Sequence, residues 1–246
     1  PPPLPSPSPV ATSDSPRRTY PRSLATFLSI EGPKVMIVGA ERNHYPPNFF
    51  LMNIEREISI RKSSTTYETT PVSPDLVGDI SNPSLFATRE FDGIFDVVVF
   101  EHLPYFAING NSFVNAARML KPGGLLLFNL PGYILTKRSV APTDSPRDGK
   151  FIAADGTRKS FREAYVQIED KFYIWIEVAG RAPTFDIVFD GEEHEITEPV
   201  RQRGIEIILR SVKTLAPQFH DFKPTLAPYW LAAVTRDYPI YQATKR

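Results

Sequence analysis

Four short apolar runs each end in residues that can do chemistry. KVMIVGA (34–40) leads from Gly39 and Ala40 into Glu41 and Arg42, and FFLMNIE (49–55) ends in Asn53 and Glu55. DLVGDI (75–80) ends in Asp79 and Ile80, and FDVVVFEH (95–102) ends in Glu101 and His102. If the runs are neighbouring strands, acids recur along one edge of a sheet. A carboxylate after the second run can accept both hydroxyls of a ribose, and Asp79 could take the exocyclic amine of an adenine. Burying so polar a ligand requires paired polar groups of this kind. His102 is the candidate general base, since an unperturbed imidazole changes charge near neutral pH, with Glu101 lining the ligand site beside it. Tyr105 and Tyr133 could line a pocket for the reacting partner.

Other chemistries are excluded or disfavoured. With no cysteine in 246 residues, disulfides, thiolate metal sites and thiol nucleophiles are ruled out. His44, His194 and His220 are scattered without ligand spacing such as HExxH, so no metal site is expected. The Glu192–Glu195 cluster reads as a solvated edge. Lys+Arg and Asp+Glu both number 28, which argues against a nucleic-acid groove. No apolar run approaches the roughly 18–20 residues of a membrane span, and no signal pattern is visible. The expectation is a cytoplasmic protein with a small-molecule partner.

The elements that must carry these residues can be read from the pattern. The runs at 34–40, 49–55, 75–80, 95–102 and 124–130 (GLLLFNL) read as strands, the first buried on both faces. Between the last two, Phe113, Ala116, Ala117 and Leu120 fall on one helical face over 112–120, and Lys121-Pro122-Gly123-Gly124 stops the helix. Strand–helix–strand order predicts a parallel sheet with right-handed crossovers. The fold class expected is α/β, a Rossmann-like, mostly parallel sheet flanked by helices. From about 150 to 196 the pattern changes to alternation, with Asp155-Gly156 and Asp190-Gly191 as hairpin turns, predicting an inserted antiparallel β patch. That patch is a candidate specificity element, or a surface through which two copies could pair. A helix over Ile205–Leu215 and a last strand at Tyr229–Thr235 follow. Eight of the 25 prolines fall within residues 1–22, which reads as a disordered tail or linker ahead of a single domain over 23–246. The first residue is not Met, so a processed or excised chain is expected.

The order KVMIVGA, NIE, VGDI, FDVVVFEH, ARMLKPGGLLLF resembles a class I S-adenosylmethionine-dependent methyltransferase. The family shows a strand ending in a glycine loop, an acid after the second strand and an Asp near the third. An "FD-x-V" strand follows, then a helix ending in "LKPGG" before the fifth. The most specific piece is Arg118-Met119-Leu120-Lys121-Pro122-Gly123-Gly124. The resemblance spans 34–130, and the stretch from Asn43 to Glu55 is similar to a subgroup with "N-x-x-x-P-G-W-x-N-x-D" between the first two strands. It implies S-adenosylmethionine as cofactor, held by Gly39, Ala40, Glu41, Asn53, Glu55, Asp79, Ile80 and Glu101, with Glu55 at the ribose. It further implies His102 as base and Tyr105 and Tyr133 toward the acceptor. The NPPY-type motif of enzymes that methylate nucleobase or glutamine amines is absent; EHLPY stands there instead. That favours O-methylation of a small molecule.

One departure defines the rival reading. The family loop is usually "D/E-x-G-x-G"; here Ile37 replaces the acid and Glu41 the second glycine. A side chain at that glycine stands where backbone should approach the cofactor. The alternative is therefore a catalytically inactive methyltransferase-like domain serving as a binding or scaffolding module.

Overall fold

The computed structural model describes residues 21–39, 48–61, 67–71, 73–85, 89–97, 99–100, 111–129, 147–153, 155–168, 171–178, 184–190, 206, 209–210, 213–214, 216–226 and 240–246. The order begins with helix α1 (Leu24–Leu28), strands β1 (Val35–Val38) and β2 (Phe49–Asn53), and a hairpin of β3 (Glu57–Arg61) and β4 (Tyr67–Pro71). Next come β5 (Leu76–Val77), β6 (Phe91–Asp96), helix α2 (Asn111–Met119) and β7 (Leu120–Asn129). The chain continues through β8 (Arg147–Ile152), β9 (Arg158–Ile168), β10 (Lys171–Val178) and β11 (Thr184–Asp190), and ends in β12 (Phe219–Thr225) and β13 (Ile240–Lys245).

Among the described residues a seven-stranded sheet runs β12-β13-β7-β6-β1-β2-β5. Its five parallel strands, counted in chain order, lie 3-2-1-4-5, a Rossmann-like arrangement with the switch point between β1 and β6. β13 pairs antiparallel to both β7 and β12 and closes the far end as a hairpin. The end hairpin is thus Phe219–Thr225 with Ile240–Lys245; the strand expected at Tyr229–Thr235 lies outside the described residues.

Every residue of β1 and β2 is buried, as continuous Val, Ile, Leu, Met and Phe runs require in a central parallel sheet. One face carries Met36, Val38, Phe50, Met52, Ile94, Leu126 and Phe128, packed with Phe27 of α1 and Phe113, Ala116 and Ala117 of α2. The opposite face carries Val35, Ile37, Phe49, Leu51 and Leu127. α1 starts where Ser23 accepts the Thr26 N–H, and its Phe27 ring lies 5.2 Å from Phe50 and 5.8 Å from Phe91. Phe27→Ala at this fully buried site costs about 3–5 kcal/mol. No helix among the described residues is long and apolar enough to cross a membrane.

The fourth strand corrects the sequence reading. It is Phe91–Asp96, not 95–102. Gly93 to Asp96 pair with Val35 to Val38, and the Val97 N–H donates to the Val38 carbonyl at 2.9 Å. Beyond it, Val99 and Phe100 are described outside any strand, and β1 itself ends before Gly39, which takes φ +79°. The third strand is likewise shorter than 75–80, since only Leu76 and Val77 pair with β2. The fifth begins earlier, at Leu120 opposite Phe91, with a register shift that accommodates the Pro122-Gly123 bulge. The β3–β4 hairpin was not foreseen. Arg22, assigned to the tail, is tied into the sheet through Asp75.

The inserted patch is a four-stranded antiparallel meander, β11-β10-β9-β8. Its first turn is at Asp155-Gly156, where Gly156 takes φ +81°. Phe151, Ala153 and Phe161 join the main core, so the β8–β9 end of the patch is continuous with the parallel sheet domain.

Candidate functional site

The carboxyl ends of the first three parallel strands are bonded to one another. The Gly39 N–H donates to the Met52 carbonyl at 2.9 Å, and the Gly78 N–H to the Asn53 carbonyl at 2.8 Å. In a sheet of this order, ligands bind in the crevice beyond these ends. A cavity of about 370 Å³ opens there, within the range of small-molecule and cofactor sites. Val38 and Gly39 line it from β1, and Met52, Asn53, Ile54 and Glu55 from the end of β2. Gly78, Asp79 and Ile80 line it after β5, Val99 after β6, and Gly149, Lys150 and Phe161 from the inserted patch.

The cavity brings together Gly39, Asn53, Glu55, Asp79 and Ile80, five of the eight residues singled out for cofactor binding. Ala40, Glu41 and Glu101, together with His102, Tyr105 and Tyr133, lie outside the described residues.

Gly39 is required by its surroundings. A Cβ there would meet the Val97 carbonyl oxygen and Val99 Cγ2, each at 2.5 Å, and its positive φ disfavours any side chain. Asn53 is buried, and its Oδ1 accepts the Ile54 N–H at 2.7 Å, fixing the turn that presents Glu55. The Glu55 carboxylate is half exposed, and its Oε1 accepts from Arg158 Nη2 at 3.0 Å.

Asp79 differs from the sequence reading in what its carboxylate does. Oδ1 accepts the Ser81 N–H at 2.8 Å and the Ser81 hydroxyl at 2.7 Å, while Oδ2 accepts the Ile152 N–H at 3.0 Å. Ser81 Oγ also accepts the Ile152 N–H at 3.1 Å and lies 2.9 Å from the Ile152 carbonyl, which shares the hydroxyl's one proton with Asp79. These bonds make Asp79 a fastening between the loop after β5 and strand β8. Asn115 of α2 holds the same loop from below, donating through Nδ2 to the Ile80 and Asn82 carbonyls, both at 2.7 Å.

The wall formed by the patch was missed at the sequence level as part of this cavity. Its signal is Gly149, a glycine inside a strand, which marks a close approach. Gly149 pairs with Phe161, and a Cβ there would run into the Phe161 ring. Asn115 carried a weaker signal, a polar residue between Phe113 and Ala116 on the buried side of α2.

No family model matches the chain, and no curated protein matches it. Solved structures that it is similar to include an S-adenosylmethionine-dependent methyltransferase from Clostridium acetobutylicum. That protein is 14% identical with a TM-score of 0.39, over 90% of this chain and 87% of that one. A sugar N-methyltransferase from Streptoalloteichus is 12% identical, TM-score 0.35, over 98% of this chain and 100% of that one. An amino pentose methyltransferase from Micromonospora echinaspora, solved with S-adenosylmethionine bound, is 12% identical, TM-score 0.34, over 89% and 86%.

Proposed function

We propose that the chain binds S-adenosylmethionine at the carboxyl ends of β1, β2 and β5 and transfers its methyl group to a small-molecule hydroxyl. One observation carries this reading. A single cavity is lined by Gly39, Asn53, Glu55, Asp79 and Ile80, positions at which the resembled family holds its cofactor.

The donor set suits such a ligand. Gly39 keeps the floor of the cavity free of a side chain, so backbone can approach a bound group. Glu55 offers a carboxylate for a vicinal diol. Ile54 and Val99, which line the cavity and are only partly buried, offer apolar surface for a planar base. When bound, the cofactor supplies an electrophilic methyl on a sulfonium. The protein then has to hold the acceptor oxygen in line with that methyl and exclude water. His102 is proposed to take the acceptor's proton as the oxygen attacks, with Tyr105 and Tyr133 toward the acceptor.

Thermal melting with S-adenosylhomocysteine tests the binding step. Ligand at 100 times its Kd stabilises by about 2.7 kcal/mol, or roughly 5–10 °C for a chain of this size. Glu55→Ala should remove that shift. No shift at millimolar ligand overturns the reading. His102→Ala should cut methyl transfer while leaving the shift intact.

A second reading is a binding module without catalysis. The observation favouring it is the first-strand loop, where Ile37 stands in place of the family's acid and is fully buried, offering no polar group to a ligand. A full ligand-induced shift with no methyl transfer to any of a panel of hydroxylated small molecules would support this alternative.

A further inference from the structure

We infer that Arg158, from the inserted patch, is a positioning residue that sets the Glu55 carboxylate for a ligand's diol. The inference rests on the function proposed above. Arg158 Nη2 donates to Glu55 Oε1 at 3.0 Å across 103 positions of sequence, joining the patch to the rim of the cavity. Both side chains are 51% exposed, and exposed pairs of this kind contribute little to stability. Its location is what gives the pair meaning.

Arg158 is the first residue of β9 and lies directly opposite Ile152 in the β8–β9 ladder. Ile152 is the residue whose N–H is held by Asp79. The rung that carries the guanidinium is therefore fastened to the loop after β5, on the cavity's own wall. Gly149 and Phe161, from the same hairpin, line that cavity with Glu55. One hairpin thus closes the side of the cavity and reaches over it to the acid. The guanidinium occupies Oε1, so the carboxylate is held in one orientation. The syn and anti sites it leaves open are then pre-arranged for two hydroxyls, which lowers the ordering cost of binding.

The patch accordingly acts as part of the ligand site, and Arg158 sets preference for a ribose with both hydroxyls. The test measures binding of S-adenosylhomocysteine, adenosine and 2′,3′-dideoxyadenosine to the wild type, Arg158→Gln, Arg158→Lys, Glu55→Gln and the double variant. Arg158→Gln is expected to weaken binding of S-adenosylhomocysteine and adenosine about threefold to tenfold, with dideoxyadenosine unaffected. The double variant should be no weaker than Glu55→Gln alone, the non-additivity of two residues acting through one contact. Arg158→Lys should recover part of the loss, and the unliganded melting temperature should stay within about 1 °C. Equal weakening of the diol and dideoxy ligands by Arg158→Gln overturns the inference. So does an unchanged affinity where Glu55→Gln lowers it, and in that case the proposed function stands. Absence of any binding by the wild type overturns both.

Discussion

Asp79 Oδ2 and the Ile152 N–H are joined at 3.0 Å, a bond between residues 73 apart that fastens an inserted β-sheet to the cavity-lined edge of a parallel one. Asp79 is 5% exposed, so its carboxylate is stabilised by the protein groups that surround it. Asp79→Asn replaces one oxygen with an amide donor, which then opposes either the Ile152 N–H or the Ser81 N–H. Hydrogen bonds to a charged group contribute about 1.5–3 kcal/mol, so a loss of about 3 kcal/mol is expected. That corresponds to a melting temperature lower by roughly 6–12 °C, read by circular dichroism. An unchanged melting temperature would show that the fastening carries no stability.

Gly39 and Gly123 have nearly the same backbone conformation, φ +79° and +78°, but different surroundings. Nothing lies within 4 Å of a Cβ built on Gly123, whereas one on Gly39 meets backbone and side chain at 2.5 Å. Gly123→Ala should therefore cost only the conformational term, about 1–2 kcal/mol. Gly39→Ala adds overpacking of about 1–3 kcal/mol and pushes Val97 and Val99 away from the cavity. Urea denaturation of the two variants side by side should show Gly39→Ala clearly the less stable. Equal losses would mean that the Val97–Val99 segment yields freely.

How much of this was legible in the sequence follows from which signals are local. The buried runs at 34–40 and 49–55, the helix over 112–120 and the alternation of the patch are local periodicities, and each produced an element close to where it was expected. The fourth strand was misplaced because Val97, Val98 and Val99 have high strand propensity, and propensity says nothing about whether a partner strand lies alongside. Gly93 pairs between Val35 and Leu125, a placement decided by the neighbours. Glu55 and Asp79 were recognisable as site candidates from their position after apolar runs. Their partners, Arg158 and Ile152, were not, since contacts across 103 and 73 positions leave no trace in spacing. Arg22 was hidden for the same reason, at the edge of a proline-rich stretch whose composition predicts no fold.

Arg22 should prove to be a structural residue. Its Nε and Nη2 donate to the two Asp75 carboxylate oxygens at 3.2 Å each, and its backbone N–H to Oδ1 at 2.9 Å. Nη2 also donates to the Phe49 carbonyl. The Asp75 side chain is 0% exposed and accepts the Leu51 N–H as well, so it bridges the N-terminal segment and β2. Arg22→Ala leaves that carboxylate without its cation, at an expected cost of about 3–5 kcal/mol. Arg22→Lys should recover little, because an ammonium cannot reproduce the two-pronged contact. Full recovery by lysine would reduce the role of Arg22 to charge alone.

The last expectation concerns pH. Asp92 stands at the start of β6, where Oδ2 accepts the Lys34 N–H at 2.7 Å and Oδ1 accepts from Lys121 Nζ at 2.9 Å. It thereby ties the Lys121-Pro122-Gly123 bulge to the entry of β1. Partial burial pushes its pKa up, but the Lys34 N–H, the Lys121 hydrogen bond and the two lysine charges outweigh that and hold it below the usual 3.8. A carboxyl with a depressed folded-state pKa stabilises the fold fully above its unfolded value, and the contribution disappears as pH falls through the folded one. Asp92→Asn should therefore melt below the wild type by a constant margin from pH 7 to about pH 5. The margin should shrink below about pH 4 and close once the pH has fallen through the lowered folded-state value, as the wild-type carboxyl takes up its proton. Melting curves of both proteins across that range check this. A margin that stays constant to the lowest pH would show that the asparagine disturbs packing, and that the ion pair with Lys121 contributes nothing.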